Sequence, residues 1–124
     1  MVSLLIVEDE QLIAAMLAEW LVEMNYEVIG PAKSNEEALA LLSRSTPDGA
    51  ILDILVEDGN SYTVARELRR RAVPFFFATG YSGESIDPSF NGAEVAMKPF
   101  EFDRLCEMLR RTLVPIGSDC QAVA

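Results

Sequence analysis

Apolar and polar residues come in blocks along this chain that predict strand and helix in turn. Leu4 to Val7 is a short unbroken apolar run that stops at Glu8-Asp9, as suits a strand buried on both faces. Leu12, Ile13, Met16, Leu17, Trp20, Leu21 and Met24 then recur at three- and four-residue intervals and predict a helix with that stripe buried. Tyr26 to Ile29 predicts a second strand, closed by Gly30-Pro31. Ser34 and Glu37 have the spacing of a capping box, so a helix starts there, with Ala38, Leu39, Leu41 and Leu42 as its buried face. Pro47-Asp48 breaks it, and Gly49 to Leu52 predicts a third strand ending in Asp53.

Asp58-Gly59-Asn60-Ser61 predicts a turn with an N-cap. The helix after it carries Val64, Ala65 and Leu68 inward and ends in Arg69-Arg70-Arg71, cations that complement the negative end of a helix dipole. Val73 to Ala78 predicts a fourth strand, with Pro74 near its start and Thr79-Gly80 halting it. Between 82 and 92 the punctuation by Ser82, Gly83, Asp87-Pro88, Asn91 and Gly92 predicts only a short or mobile helix. Glu94 to Met97 predicts the fifth strand. Phe102, Leu105, Cys106, Leu109 and Leu113 trace a last helix that Pro115 stops.

Five strands alternating with about five helices predict an α/β domain with parallel strands joined by right-handed crossovers. Four of the five predicted strands then end in polar residues: Glu8-Asp9, Asp53, Thr79 and Lys98. In an open α/β sheet those ends form the ligand crevice.

The 124 residues fit one folded unit, placed at 1–115, with 116–124 as a short tail. Half of the residues are hydrophobic, which favours a packed core over disorder. The formal net charge of −10 at pH 7 argues against nonspecific nucleic-acid binding, which needs cations to neutralise phosphates. Solubility alone, or attraction of cations and basic protein surfaces, accounts for such a charge. With no histidine and only Cys106 and Cys120, a zinc site, a disulfide framework and any histidine-based triad drop out. No apolar run approaches the ~18 residues of a membrane span, and no signal peptide is evident at the N-terminus, so the cytoplasm is expected.

Glu8, Asp9 and Asp53 would converge in the crevice, where like charges are relieved by protons or a cation. Oxygen-only, histidine-free surroundings select a hard ion such as Mg²⁺, which also suits phosphoryl chemistry. Asp53 would be the nucleophile, giving an acyl phosphate. Lys98 would bring positive charge and Thr79 a hydroxyl to the phosphoryl oxygens. Each has a bland alternative: Glu8-Asp9 as a solvated loop, Asp53 as an N-cap, Thr79 as a turn residue, Lys98 as an exposed strand end. Their recurrence at successive strand ends is what points to a site.

The stretches "LLIVEDE", "AILDILVEDGNS", "FFFATGY" and "AMKPFEFDRL" resemble the receiver domain of two-component response regulators over nearly the whole chain. The resemblance implies a doubly wound, flavodoxin-like sheet in strand order 2-1-3-4-5. It implies Mg²⁺ (or Mn²⁺) held by the acidic pair, Asp53 and the Leu55 backbone carbonyl, with Thr79 and Lys98 on the phosphoryl group. It implies a phosphoacceptor rather than an enzyme, served by a histidine kinase or phosphotransfer domain and acting on a downstream protein or as a relay or sink. The run Phe77-Ala78-Thr79-Gly80-Tyr81 is similar to that of a subgroup whose members are frequently single-domain.

Two positions depart from the family pattern. Val95 stands where many receivers carry a rotating aromatic, so Tyr81 or the loop from Ser82 to Gly92 becomes the candidate switch. The acidic pair is Glu-Asp, which makes Asp9 the better direct ligand. Two other readings remain at this stage. One is a degenerate receiver that only binds partners. The other is an aspartate-nucleophile phosphatase, which wants a second acid where Leu55 stands.

Overall fold

The computed structural model describes residues 1–80, 86–90, 92–98 and 101–113. Its main sheet contains β1 (Ser3–Val7), β2 (Glu27–Ala32), β3 (Gly49–Leu52), β6 (Phe75–Thr79) and β7 (Glu94–Met97), all parallel, in the order β2-β1-β3-β6-β7. Counting only these five strands, this is the expected 2-1-3-4-5. The sheet is flanked by α1 (Gln11–Glu23), α2 (Asn35–Leu42), α3 (Tyr62–Arg70) and α4 (Phe102–Thr112). A small antiparallel hairpin, β4 (Leu55–Val56) with β5 (Gly59–Asn60), replaces the simple turn expected between β3 and α3.

Period-two alternation explains how apolar runs bury both faces of the sheet. Leu5 and Val7 of β1 pack with Ala38, Leu42, Val64 and Leu68, on the α2–α3 side. Leu4 and Ile6 pack with Leu17, Leu21, Leu105 and Leu109, on the α1–α4 side. Cys106 is half-buried against this second cluster.

Several expected boundaries shift. The second strand does not close at Gly30-Pro31 but runs on to Ala32, whose carbonyl accepts from Glu8 N–H at 2.8 Å. Gly30 makes this continuation possible: its φ is +96°, and a Cβ there would lie 2.8 Å from the Ala32 nitrogen. The fourth sheet strand begins at Phe75 rather than Val73 and includes Thr79. Leu12 does not belong to the buried stripe of α1 and is 88% exposed. Helix geometry places it on the side of α1 away from Ala14, Leu17 and Leu21, whereas its neighbour Ile13 packs against the core.

The capping box at Ser34 forms by half. Ser34 Oγ accepts from Glu37 N–H at 3.1 Å, while Glu37 Oε1 turns to Lys33 N–H at 3.0 Å. Ser61 stands at the N-cap of α3 but makes no side-chain capping bond. Of the segment 82–92, the described part contains one 3-10 turn, Pro88–Phe90. Phe90 is buried there among Tyr62, Phe75 and Phe77. Residues 82–85 and 91, Tyr81 and the tail from 116 lie outside the described residues.

Candidate functional site

The backbone of each candidate residue is fixed where its strand ends. Glu8 follows β1 and donates its N–H to Ala32; Asp53 follows β3 and donates to the Val7 carbonyl at 2.8 Å. Thr79 closes β6, and its carbonyl accepts from Lys98 N–H at 2.8 Å, one residue beyond β7. Hydrogen bonding between neighbouring strands therefore brings residues from four parts of the chain to one edge.

Glu8, Asp53 and Thr79 are buried and Asp9 is exposed. One carboxylate oxygen each from Glu8, Asp9 and Asp53 lies within 4.8 Å of the others. The Lys98 ammonium enters this cluster, 2.5 Å from Glu8 Oε1 and 3.2 Å from Asp53 Oδ2. The other Glu8 oxygen accepts from Glu10 N–H at 3.1 Å. Both Glu8 oxygens are thus occupied, whereas Asp9 faces solvent.

Burial pushes the Glu8 carboxyl up to about 7, helped by the neighbouring Asp53 charge and opposed by Lys98 and the Glu10 N–H. For Lys98, burial alone would favour the neutral amine. The Glu8 and Asp53 carboxylates outweigh it and raise its pKa above the ordinary value. The cluster therefore holds a fixed ammonium beside carboxylates that lack enough positive charge.

Leu55 lies in β4, opposite Asn60. The bond from Ser61 N–H to the Ile54 carbonyl, 2.8 Å, flanks that pair, so Leu55 holds its non-hydrogen-bonded position. Its own carbonyl is left uncommitted by the hairpin. Val95 is half-buried and packs on the α2–α3 side of the core. A cleft of about 790 Å³ lies at the opposite, N-terminal ends of the strands, lined in part by Asp48, Pro74 and Glu94, and does not include any of these site residues.

Residues 4–110 match the response regulator receiver domain family. The chain belongs to that family. It is 33% identical over 116 residues to the sensory transduction protein LytT of Bacillus cereus, covering 90% of this chain and 47% of that protein. The receiver thus spans about half the length of the first curated relatives it matches. Among solved structures, SdrG of Sphingomonas melonis superposes with a TM-score of 0.80 at 38% identity, covering 92% of this chain and 97% of that one. TrrA of Thermotoga maritima, solved with Mg²⁺ and BeF, gives 0.77 at 34% identity, covering 91% and 100%. Receiver domains bind Mg²⁺ in an acidic pocket, and this receiver has such a cluster in Glu8, Asp9 and Asp53. Three carboxylates without a nitrogen or sulfur ligand fit a hard divalent ion.

Asn35 and Asp58 act together in a way that no local sequence pattern shows. They tie the β4–β5 hairpin to two helix starts through bonds spanning 23 to 29 residues. A capping pattern is local, so no sequence window contains both partners.

Proposed function

We propose that this receiver accepts a phosphoryl group on Asp53 from a phosphohistidine of a kinase or phosphotransfer protein. A carboxylate oxygen of Asp53 attacks phosphorus, the P–N bond breaks, and the leaving imidazole nitrogen takes up a proton. The product is an acyl phosphate. Such transfers depend on positioning and on charge placed around the phosphoryl oxygens. Lys98, already between Glu8 and Asp53, supplies the fixed cation. Thr79, buried at the end of β6, supplies a hydroxyl.

Mg²⁺ would be held by Asp9, Asp53 and the Leu55 carbonyl, with Glu8 at its edge; when bound it offsets negative charge on the phosphoryl oxygens. Both Glu8 oxygens are already engaged, which favours Asp9 as the direct ligand. The observation that carries this reading is the Lys98 ammonium bridging Glu8 and Asp53 across the sheet edge.

The reading extends to a single-domain regulator, with residues 1–115 as the receiver and 116–124 as a tail, working in the cytoplasm. The near-complete coverage of the SdrG chain supports it. Output would pass through protein contacts or onward relay, without nucleic-acid or membrane binding. No described helix is long and apolar enough to cross a membrane. Tyr81 remains the candidate switch in place of Val95.

Incubation with a phosphorylated histidine kinase and Mg²⁺ tests the proposal. Acid-labile, hydroxylamine-sensitive phosphate should appear on the wild type and be absent from Asp53→Ala. No incorporation from any kinase of the host, or from a small-molecule phosphodonor, would leave a binding-only receiver. Sustained hydrolysis of phosphate esters would favour the phosphatase.

A further inference from the structure

Building on the receiver reading, we infer that Asn35 is a positioning residue for the metal site, holding the hairpin that presents the Leu55 carbonyl. Asn35 is the first residue of α2 and is 9% exposed. Helices begin with N–H groups that lack partners within the helix. Here the hairpin serves two such groups of α2, and α2 serves one of α3. Asp58, in the hairpin turn, accepts from Asn35 N–H at 2.8 Å and from Glu36 N–H at 3.1 Å. In return, Asn35 Oδ1 accepts from Val64 N–H at 3.3 Å, the group that a capping Ser61 would otherwise serve.

The Asn35 side-chain amide also donates to Asp58 Oδ1 at 3.1 Å and to the Asn60 carbonyl at 2.7 Å. Asn60 Oδ1 accepts from Tyr62 N–H at 3.2 Å. Glu57 N–H donates to the Lys33 carbonyl at 2.9 Å. The chemistry requires an amide at position 35. Its partners are two acceptors and one donor, and aspartate would offer no proton to the acceptors and would set a second carboxylate against Asp58.

A two-stranded hairpin with two residues in each strand does not hold itself in place. The position of β4–β5 relative to β3 is therefore set by what it is bonded to, and Asn35 reaches the turn, β5 and α3 together. Leu55 sits directly opposite Asn60, the residue whose carbonyl Asn35 holds. A shift of this hairpin would move the Leu55 carbonyl and leave the carboxylates, which follow β1 and β3, where they are. Loss of such an outer partner typically weakens metal binding about 10- to 100-fold.

The test is a titration of the full chain with Mg²⁺ alone, read from backbone amide NMR shifts of Asp9, Asp53 and Leu55. Asn35→Ala should raise Kd about tenfold, speed amide exchange across Leu55–Asn60, and leave β1 and β3 resonances in place. Asn35→Asp should also weaken binding, and Asp58→Asn added to it should recover part of the loss. An unchanged Kd in folded Asn35→Ala overturns the inference. If that variant does not fold, Asp58→Ala, at the exposed end of the network, is read in the same way, and an unchanged Kd there overturns it. A wild type that shows no Mg²⁺ response overturns the metal reading itself, an outcome distinct from a response that Asn35→Ala leaves unaltered.

Discussion

The Lys98 ammonium lies 2.5 Å from Glu8 Oε1, in a pocket where Glu8 is 3% exposed. The pair joins the ends of β1 and β7, strands separated in the sheet by β3 and β6. Even with this partner, burial holds the Glu8 carboxyl at about 7 against an ordinary 4.5.

That shift predicts a pH dependence of the metal-free protein. The folded state retains the Glu8 proton after the unfolded chain has released it. Glu8's contribution to stability is therefore full below about pH 4.5 and is lost as pH rises through about 7, amounting to at most about 3 kcal/mol. Thermal unfolding in EDTA at pH 5 and pH 8 should show it, and Glu8→Gln should flatten the slope. Mg²⁺ at pH 8 should restore stability by binding the folded state. If Glu8→Gln keeps the wild-type slope, Glu8 is not the titrating group.

The aromatic cluster under the 3-10 turn predicts a second result. Phe90 is 1% exposed and stacks on Tyr62, with centroids 5.2 Å apart, while the Tyr62 hydroxyl accepts from Asp87 N–H at 2.9 Å. Arg69 covers the outer side, its guanidinium carbon 4.4 Å from the Phe90 centroid. Phe90→Ala should cost about 3–5 kcal/mol, and Tyr62→Phe about 1 kcal/mol, by urea unfolding. Equal small losses would show that the turn is not anchored through Phe90.

Leu12 and Leu17 share a helix and a hydrophobic pattern but differ in burial, 88% against 1% exposed. Leu12→Ala should change stability by less than about 0.5 kcal/mol. Leu17→Ala should cost about 2–5 kcal/mol. A destabilised Leu12→Ala would mean that the first turn of α1 packs against something in the monomer.

Why some features were legible and others not follows from the range of the interactions involved. Leu4 to Val7 and Gly49 to Leu52 are apolar because strands buried on both faces must be, and that requirement is visible in a window of four residues. The polar residue after each run marks the crevice for the same reason. Gly30-Pro31 carries an equally local turn signal, but Ala32 is held by β1 through its bond to Glu8 N–H, and the strand continues. The stripe containing Leu12 is wider than the face of α1 that meets the sheet, and Leu12 falls on the side away from Ala14, Leu17 and Leu21. Asn35 is an ordinary first-turn helix residue and Asp58 an ordinary turn residue in their own neighbourhoods, and their joint role exists only once the chain has brought them together.

The backbone clips from Asp53 to Val7 and from Glu8 to Ala32 have a practical consequence. The spacing of the acidic groups is inherited from the lattice of the sheet and not from the groups themselves. Carboxylates at this rim can therefore be exchanged one at a time for amides without moving their mounts, so each exchange reads out the job of one oxygen pair on an unaltered frame.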